Sequence, residues 1–401
     1  MEIATDAVVG RALEPEARLG PKFSSHSDLE VQVVDHPSAL ALVGAEWRTL
    51  EALSPASAVF QSFAHIELWA RHFIDASHGN ALHVAVVRQE GRPLLILPCA
   101  VSGSSMLRIA RIAGDPVAQF SDILIDPARA SRAAFDAALL SLKDIGVDAL
   151  LARRVRDDSH FLRLAAPHLR PATARTVAPY ADLSAFADFA AYRRSLSKGM
   201  RQSLRNRRHH LEKLGDFRFE IWAGGVEARA AVADAVDLKR KWLVQRGNLS
   251  SAFVDPATKA CLLDLAESTE SGAVVARLVI GGEAAAIRFG FEHCGTHFAY
   301  MSAYDARFAG VSPGKLLMEH VVSGFHERRL SRLDMLPPAG RHKSEWCRLE
   351  TGAADYTLPL SRAGRAYAEI YQERLRPALK RGFELMPAPL RSLATALLIR
   401  L

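Results

Sequence analysis

The sequence predicts an α+β fold made of two similar units in tandem. Three observations predict it. The order strand, helix, helix, three strands, helix, strand occurs twice along the 401 residues. In each copy the three consecutive strands are joined by short glycine turns, "EGR" and "SGS" in residues 81–114 and "GG" and "HCG" in residues 272–304, which is the usual hairpin signal between apolar runs. Each ladder then runs into a helix and one more strand, a crossover that turns a mostly antiparallel ladder into a mixed sheet flanked by helices. Length agrees, since domains average about 150 residues.

The elements follow in order. Residues 1–28 read as a mobile leader. The first unit, 29–180, carries the helical stretch "VFQSFAHIELWARHFI", the ladder of 81–114, the helix "ARASRAAFDAALLSLKDIG" and the strand "DALLARRV". The second unit, 181–361, opens with "YRRSLSKGMRQSLRNRRHHLEKL", which holds eight Arg/Lys against one Glu. Leu196, Met200, Leu204, Leu211 and Leu214 fall near one face, so this run reads as a single helix with an apolar stripe and a basic outer face. Two helical patterns, "AVADAVDLKRKWLVQRG" and "PATKACLLDLAEST", lead into the ladder of 272–304, then the helix "PGKLLMEHVVSGFHERRL" and the strand "SRLDML". Residues 362–401 form a basic, amphipathic helical tail, broken at Pro377 and at "MPAP". Its default role is packing on its own domain, with a partner subunit or a membrane surface as alternatives.

Composition narrows the function classes. About half the residues are hydrophobic and a quarter charged, an ordinary globular mix. The four cysteines, Cys99, Cys261, Cys294 and Cys347, are scattered without metal-site spacing, which favours reduced thiols and a cytoplasmic location. The first residues lack the basic and apolar regions of a signal peptide, and no run is long and apolar enough for a membrane span. A formal charge of +7 permits anionic partners without establishing them. "HCGTH" crosses a hairpin turn, so His293, Cys294 and His297 need not converge on a metal, and no metal is expected. Ser197, Ser302 and Ser312 have no nucleophile-elbow context.

The chemistry is expected where the two units differ. After its third strand the first unit reads "DPVAQFSDILIDPARAS"; the second reads "RFAGVSPGKLL". Gly310 and Gly314 let backbone approach a ligand. A helix starting at Ser312 or Pro313 offers amides and a dipole to a pyrophosphate. Arg201 or Arg205 of the basic run would help hold a phosphate or an acidic substrate.

Arg307-Phe308-Ala309-Gly310-Val311-Ser312 resembles the Arg-x-x-Gly-x-Gly/Ala acyl-CoA loop of the GNAT acyltransferase superfamily, departing only at the last position. The second unit is similar to the CelD-type branch, associated with cellulose and exopolysaccharide biosynthesis. That branch resembles the Fem-type aminoacyl transferases, which carry two GNAT-like units in tandem. "YRRSLSKGMRQSLRNRRHHLEKLG", "YDARFAGVSPGKLL" and "RLDMLPPAGRHKSEW" carry the resemblance over roughly residues 190–350. Asp334, Lys343 and Trp346 keep the branch's Asp, Tyr-Lys and Trp pattern; His342 stands where Tyr is usual, and the glycine is displaced to Gly340.

The resemblance implies tandem GNAT-like units. The second would bind acetyl-CoA or another acyl-CoA through Arg307, Gly310, Val311, Ser312, Gly314 and Lys315, and the first, degenerate, would form a wall of the acceptor cleft. Acyl transfer needs a base, a donor for the thioester oxygen, and positioning. Asp334, at the end of its strand, is a candidate base or a structural carboxylate bonding loop amides. His342 is the alternative base, and Lys343 a partner for an anion. Tyr304 or Tyr300 would donate to the leaving thiolate or pack, and Trp346 would serve as a substrate platform or a core plug. The acceptor implied is a sugar, nucleotide-sugar or amine used in polysaccharide assembly. Two alternatives stand beside this. One is aminoacyl transfer from a charged tRNA; the other is a non-catalytic partner of a membrane polysaccharide synthase, docked at the inner membrane face through residues 362–401.

Overall fold

The computed structural model describes residues 22–24, 28–54, 58–75, 77–166, 169–171, 175–245 and 255–386. Most of the predicted leader and the last part of the predicted tail lie outside them. In chain order the elements are β1 (Lys22–Ser24), β2 (Leu29–Val34), α1 (Gly44–Leu53), α2 (Phe63–Phe73), β3 (Ala81–Gln89), β4 (Arg92–Gly103), β5 (Arg108–Ile112), β6 (Leu124–Ile125), α3 (Arg132–Asp144), β7 (Ala149–Arg156), α4 (His160–Ala165), β8 (Arg170–Pro171) and β9 (Thr176–Asp182). The second half continues with α5 (Phe189–Ser195), α6 (Lys198–Lys213), β10 (Phe217–Trp222), α7 (Val226–Gln245), α8 (Pro256–Glu267), β11 (Ala273–Ile280), β12 (Glu283–His293), β13 (Thr296–Tyr304), α9 (Pro313–Ser323), β14 (Arg332–Asp334), α10 (Arg341–Ser344) and β15 (Leu349–Pro359). A helical rod closes the described chain: α11 (Arg362–Ala366), a π-helical stretch (Tyr367–Leu375) and α12 (Arg376–Leu385).

The predicted repeat is present element for element. β2, α1, α2, β3–β5, α3 and β7 answer to β10, α7, α8, β11–β13, α9 and β14. In each unit the ladder is antiparallel and the strand after the crossover helix returns parallel, β7 beside β5 and β14 beside β13. The helices start where the sequence supplies acceptors for their free amides: Ser62, Ser131, Ser197 and Asp255 cap α2, α3, α6 and α8.

The two sheets are one. Strands run β1-β2-β3-β4-β5-β7-β15-β9-β14-β13-β12-β11-β10, with β6 on β4 and β8 on β15. The centre is built by exchange. β9, which follows the first unit in sequence, pairs with β14 of the second; β15, which ends the second unit, pairs with β7 of the first; and β9 and β15 pair with each other. A boundary at residue 180 therefore falls inside β9. The helical layers are fused as well: Phe60, Phe63 and Trp69 share one buried cluster with Cys261, Phe289, Phe291 and Phe298. His72 of α2 meets Asp264 of α8 at 2.6 Å.

Two expectations need correction. The basic run is two helices, because Ser197 Oγ accepts the Met200 N–H at 3.1 Å and starts α6 afresh; Leu196 stays buried at the corner while Leu214 is exposed. Pro377 does not break the C-terminal rod, since it stands where π-helical bonding gives way to α-helical bonding and its missing N–H falls at the change of pattern. The rod is anchored by Gly364: a Cβ there would lie 1.7 Å from Asp148 O.

At the seam, the ends of β7 and β14 meet through a buried ion pair. Arg156 Nη1 is 3.2 Å from Asp334 Oδ2, and both side chains are essentially without solvent contact. Asp158 clamps the same guanidinium at 2.7 and 2.6 Å, which lies over the Phe120 ring. Burial opposes the charge on Arg156, but Asp158 and Asp334 together raise its pKa. Truncating Arg156 leaves the buried Asp334 with only the longer, 3.4 Å contact to Arg332 as an ion pair, beside its bond from the Leu336 N–H. Arg156→Leu is expected to cost about 3–5 kcal/mol, read as a lower urea midpoint with an unchanged slope.

Candidate active site

β13 and β14 pair only where Thr296–Phe298 faces Arg332–Asp334. Beyond that point β13 continues to Tyr304 beside β12, and the chain after Asp334 turns away to bond Pro179 O through the Met335 N–H at 2.9 Å. The strands splay into a V-shaped gap. Its far wall is fixed by a corner at Leu336, whose φ of +60° is left-handed and costs a non-glycine residue about 1–2 kcal/mol. Two side chains hold it. Asp334 Oδ1 accepts the Leu336 N–H at 2.9 Å, and Lys343 Nζ donates to Leu336 O at 2.6 Å. The Trp346 N–H in turn donates to Lys343 O at 3.0 Å, and its carbonyl accepts the Tyr192 hydroxyl at 2.7 Å. Asp334, Lys343 and Trp346 are thus one brace for the corner.

The loop between β13 and α9 forms the near wall. Asp305 caps a 3-10 turn, Ala306–Val311, and the buried Val311 anchors it. Ser312 is left-handed, φ +47°, and enters α9 without a side-chain cap bond, so Pro313 occupies the first turn. A Cβ on Gly310 would meet nothing within 4 Å, and one on Gly314 would stand 3.7 Å from Ser302 Oγ. Nothing in the chain's own packing asks for glycine at Gly310. The two loop cations are engaged elsewhere: Arg307 with Asp305 (2.7 Å) and Glu283, and Lys315 with Glu345 at 2.7 Å. The loop therefore offers an anion backbone amides and the dipole of α9 rather than free side-chain charge.

Positive charge gathers in the gap from other elements. Arg288 of β12, opposite Ser302 in register, reaches its hydroxyl at 3.4 Å. Burial alone pushes its pKa down to about 10. Lys239 of α7 lies 4.8 Å above the Trp242 ring, and burial lowers its pKa too. Lys343 is lowered to about 8, first by burial and further by Arg288 and Lys239. His342 is lowered by burial and then by Lys343, Arg288 and Lys239. Arg207 of α6 donates to Gly310 O at 3.2 Å, so the basic helix touches the loop.

The remaining predicted site residues sit as follows. Tyr304 is exposed at the end of β13. Tyr300 is committed: its hydroxyl donates to Val117 O of the first unit at 2.9 Å, and burial raises its pKa, so it bolts the units together. Trp346 packs with Tyr192, Met200 and Phe325 in the core. Arg201 spends its guanidinium on the carbonyls of Arg194 (2.7 Å) and Leu196, closing the corner between α5 and α6. Arg205 bonds Gln202 on the exposed face of α6. Asp334 is fully buried, and burial raises its pKa against the pull of Arg156 and Arg332. The sequence reading missed Arg288, Lys239, Arg207 and Arg156. For Arg288 the signal was there: it is the lone charge inside the apolar run "AAAIRFGF".

Residues 198–344 match the model of an acetyltransferase (GNAT) domain. That span runs from the start of α6 to the end of α10 and takes in both walls of the gap. Its fold is the GNAT fold, and the first half repeats its order of strands and helices. The chain is similar to the crystal structure of FemX, with a TM-score of 0.60 at 10% identity over 82% of this chain and 98% of that one. It is also similar to a conserved protein of unknown function from Bacteroides thetaiotaomicron VPI-5482, with a TM-score of 0.52 at 12% identity over 79% and 97%. No curated protein matches the sequence. Among the described residues no group of three or more His, Cys, Asp or Glu is arranged to hold a metal, and no helix is long and apolar enough to cross a membrane.

Lys343 gives a measurable sign. Its folded pKa, about 8, lies below the ordinary 10.5. Between those values the unfolded chain holds the proton and the folded chain does not, so stability rises with pH across that window. The parent is expected to gain stability from pH 8 to pH 10 relative to Lys343→Met, seen as a rising difference (parent minus variant) between unfolding free energies in parallel urea titrations.

Proposed function

We propose that the chain is an acyl-CoA-dependent acyltransferase whose second unit transfers an acyl group to an amine or hydroxyl on an anionic acceptor. The observation that carries this reading is the uncapped, left-handed entry to α9 beside Gly310, whose missing side chain leaves open space in a domain matching the GNAT model. The Lys315 N–H is bonded to Ser312 O at 2.9 Å, so the Gly314 amide, with the dipole of α9, would hold the pyrophosphate. Acyl-CoA, when bound, supplies an activated acyl thioester.

The chain's own groups divide the remaining work. The neutral imidazole of His342, kept unprotonated at neutral pH by burial and the neighbouring cations, takes the proton of the attacking acceptor. Lys343 has donors to spare beyond Leu336 O and stabilises developing negative charge on the acyl oxygen while it stays protonated, below about pH 8. Asp334 acts by holding the Leu336 corner and Arg156, so it positions rather than accepts a proton. Arg288 and Lys239 receive the acceptor's anionic group. The resemblance to the cellulose- and exopolysaccharide-associated branch supports a sugar or nucleotide-sugar acceptor in polysaccharide or cell-envelope assembly, with the phosphates of a nucleotide-sugar meeting these cations.

A second reading is aminoacyl transfer from a charged tRNA. It is favoured by the exposed Arg205, Arg208 and Lys213 of α6, which lie on the helix that touches the loop through Arg207. Tight, salt-sensitive tRNA binding without acyl-CoA binding would replace the first reading with this one.

Calorimetric titration with acetyl-CoA is the direct test. Gly310→Val and Gly314→Val together are expected to weaken binding at least about a hundredfold, roughly 2.7 kcal/mol, with the unfolding midpoint little changed because the Gly310 position is open. Undiminished binding would move the site elsewhere. With an acceptor in hand, kcat/KM is expected to be bell-shaped, its acid limb below pH 6.5 from His342 and its alkaline limb near pH 8 from Lys343. His342→Gln should lower kcat/KM about a hundredfold or more and remove the acid limb while leaving the alkaline one.

A further inference from the structure

The helical rod from Arg362 to Leu385 shows the sheet one face and turns another away from it. Gly364, Ala368 and Gln372, four residues apart, are the buried residues among its described side chains. Tyr371, Leu375 and Leu379, also four apart, are exposed, and Met386 continues past the rod's end. Ile370 and Leu385 add to them, at 60% and 84% exposure. Large apolar side chains scattered singly over a surface are ordinary, but a stripe along one helix is not. Among the described residues, six of the exposed large hydrophobics fall within residues 370–386. This concentration singles out the rod among the described helices.

The charges beside the stripe decide what it meets. Arg362, Arg365, Arg374 and Arg381 are exposed on the same rod. Two of its three acidic residues, Glu369 and Glu373, are turned to Arg170, at 3.0 and 3.6 Å, which leaves the exposed arginines in excess on the outer face. A second copy docked stripe to stripe would set these arginines against their own kind. A surface that is apolar beneath and anionic above would satisfy both features, and an interfacial helix on an acidic bilayer has that chemistry. We infer that the rod is a reversible docking element for anionic lipid membranes, inserting Tyr371, Leu375, Leu379 and Met386 among acyl chains while its arginines meet lipid phosphates. This stands independently of the acyltransferase reading, since no residue of the gap takes part.

The test is sedimentation of the full chain with vesicles of phosphatidylcholine, with and without phosphatidylglycerol. Binding is expected only with phosphatidylglycerol and is expected to weaken as salt rises. Leu375→Glu with Leu379→Glu, and separately Arg374→Glu with Arg381→Glu, should each lower the partition coefficient about tenfold or more at an unchanged unfolding temperature. These side chains are exposed, so folding should survive both changes. Failure to bind, equal binding to phosphatidylcholine alone, or variants that bind like the parent would overturn the proposal. So would a dimer, seen by light scattering, that the leucine variants dissolve while vesicles are ignored.

Discussion

Two parallel strands pair over three residues and then part, and the candidate site depends on that parting. Between β13 and β14 no cross-strand bond follows Phe298, so a gap opens inside what is otherwise one continuous sheet. A gap of this kind would close or flood unless both walls were stiff. The near wall is stiffened by the capped turn and the helix behind it. The far wall is stiffened by a strained leucine held from both sides by Asp334 and Lys343. Local strain of this size persists only where neighbouring groups over-determine it, and here those groups are the side chains that the sequence pattern singled out for chemistry.

Electrostatics then sets what the gap can accept. Arg288, Lys239, Lys343 and His342 come from β12, α7 and the α10 region, and each is pushed toward neutrality by burial or by its neighbours. Like charges kept together in a poorly solvated place disfavour one another. A bound anion relieves that cost, so the same cations that are uncomfortable alone become a recognition device. The opposite arrangement holds at the seam. There Arg156 and Asp334 are matched, with Asp158 closing the guanidinium, and the charge is structural.

Much of this was legible in the sequence. The duplicated order of elements, the glycine turns and the loop into α9 all depend on local periodicity and turn chemistry, which the chain states residue by residue. What was not legible depends on distant pairings. Nothing local in "LETGAADYTLP" says that this strand joins the first unit rather than its own, and a boundary drawn at residue 180 cut β9 for the same reason. For Tyr300 and Trp346 the sequence leaves a ligand role and a packing role both open, because a large aromatic side chain suits either. Their partners, Val117 O and the core around Tyr192, lie 183 and 154 residues away in the chain. Arg288 could have been found as a lone charge in an apolar strand. Lys239 could not, since a lysine on an amphipathic helix is unremarkable until the fold shows what it faces.

The exchanged strands also carry a consequence for how the protein is made. β7 ends at Arg156, yet the strand that completes its outer edge begins only at Leu349. A ribosome must synthesise nearly the whole second half before the first can finish its sheet. During that interval a nascent β7 presents unpaired backbone groups, the kind of edge that invites mispairing with other chains. The first half therefore reaches its complete native sheet only once translation has passed β15.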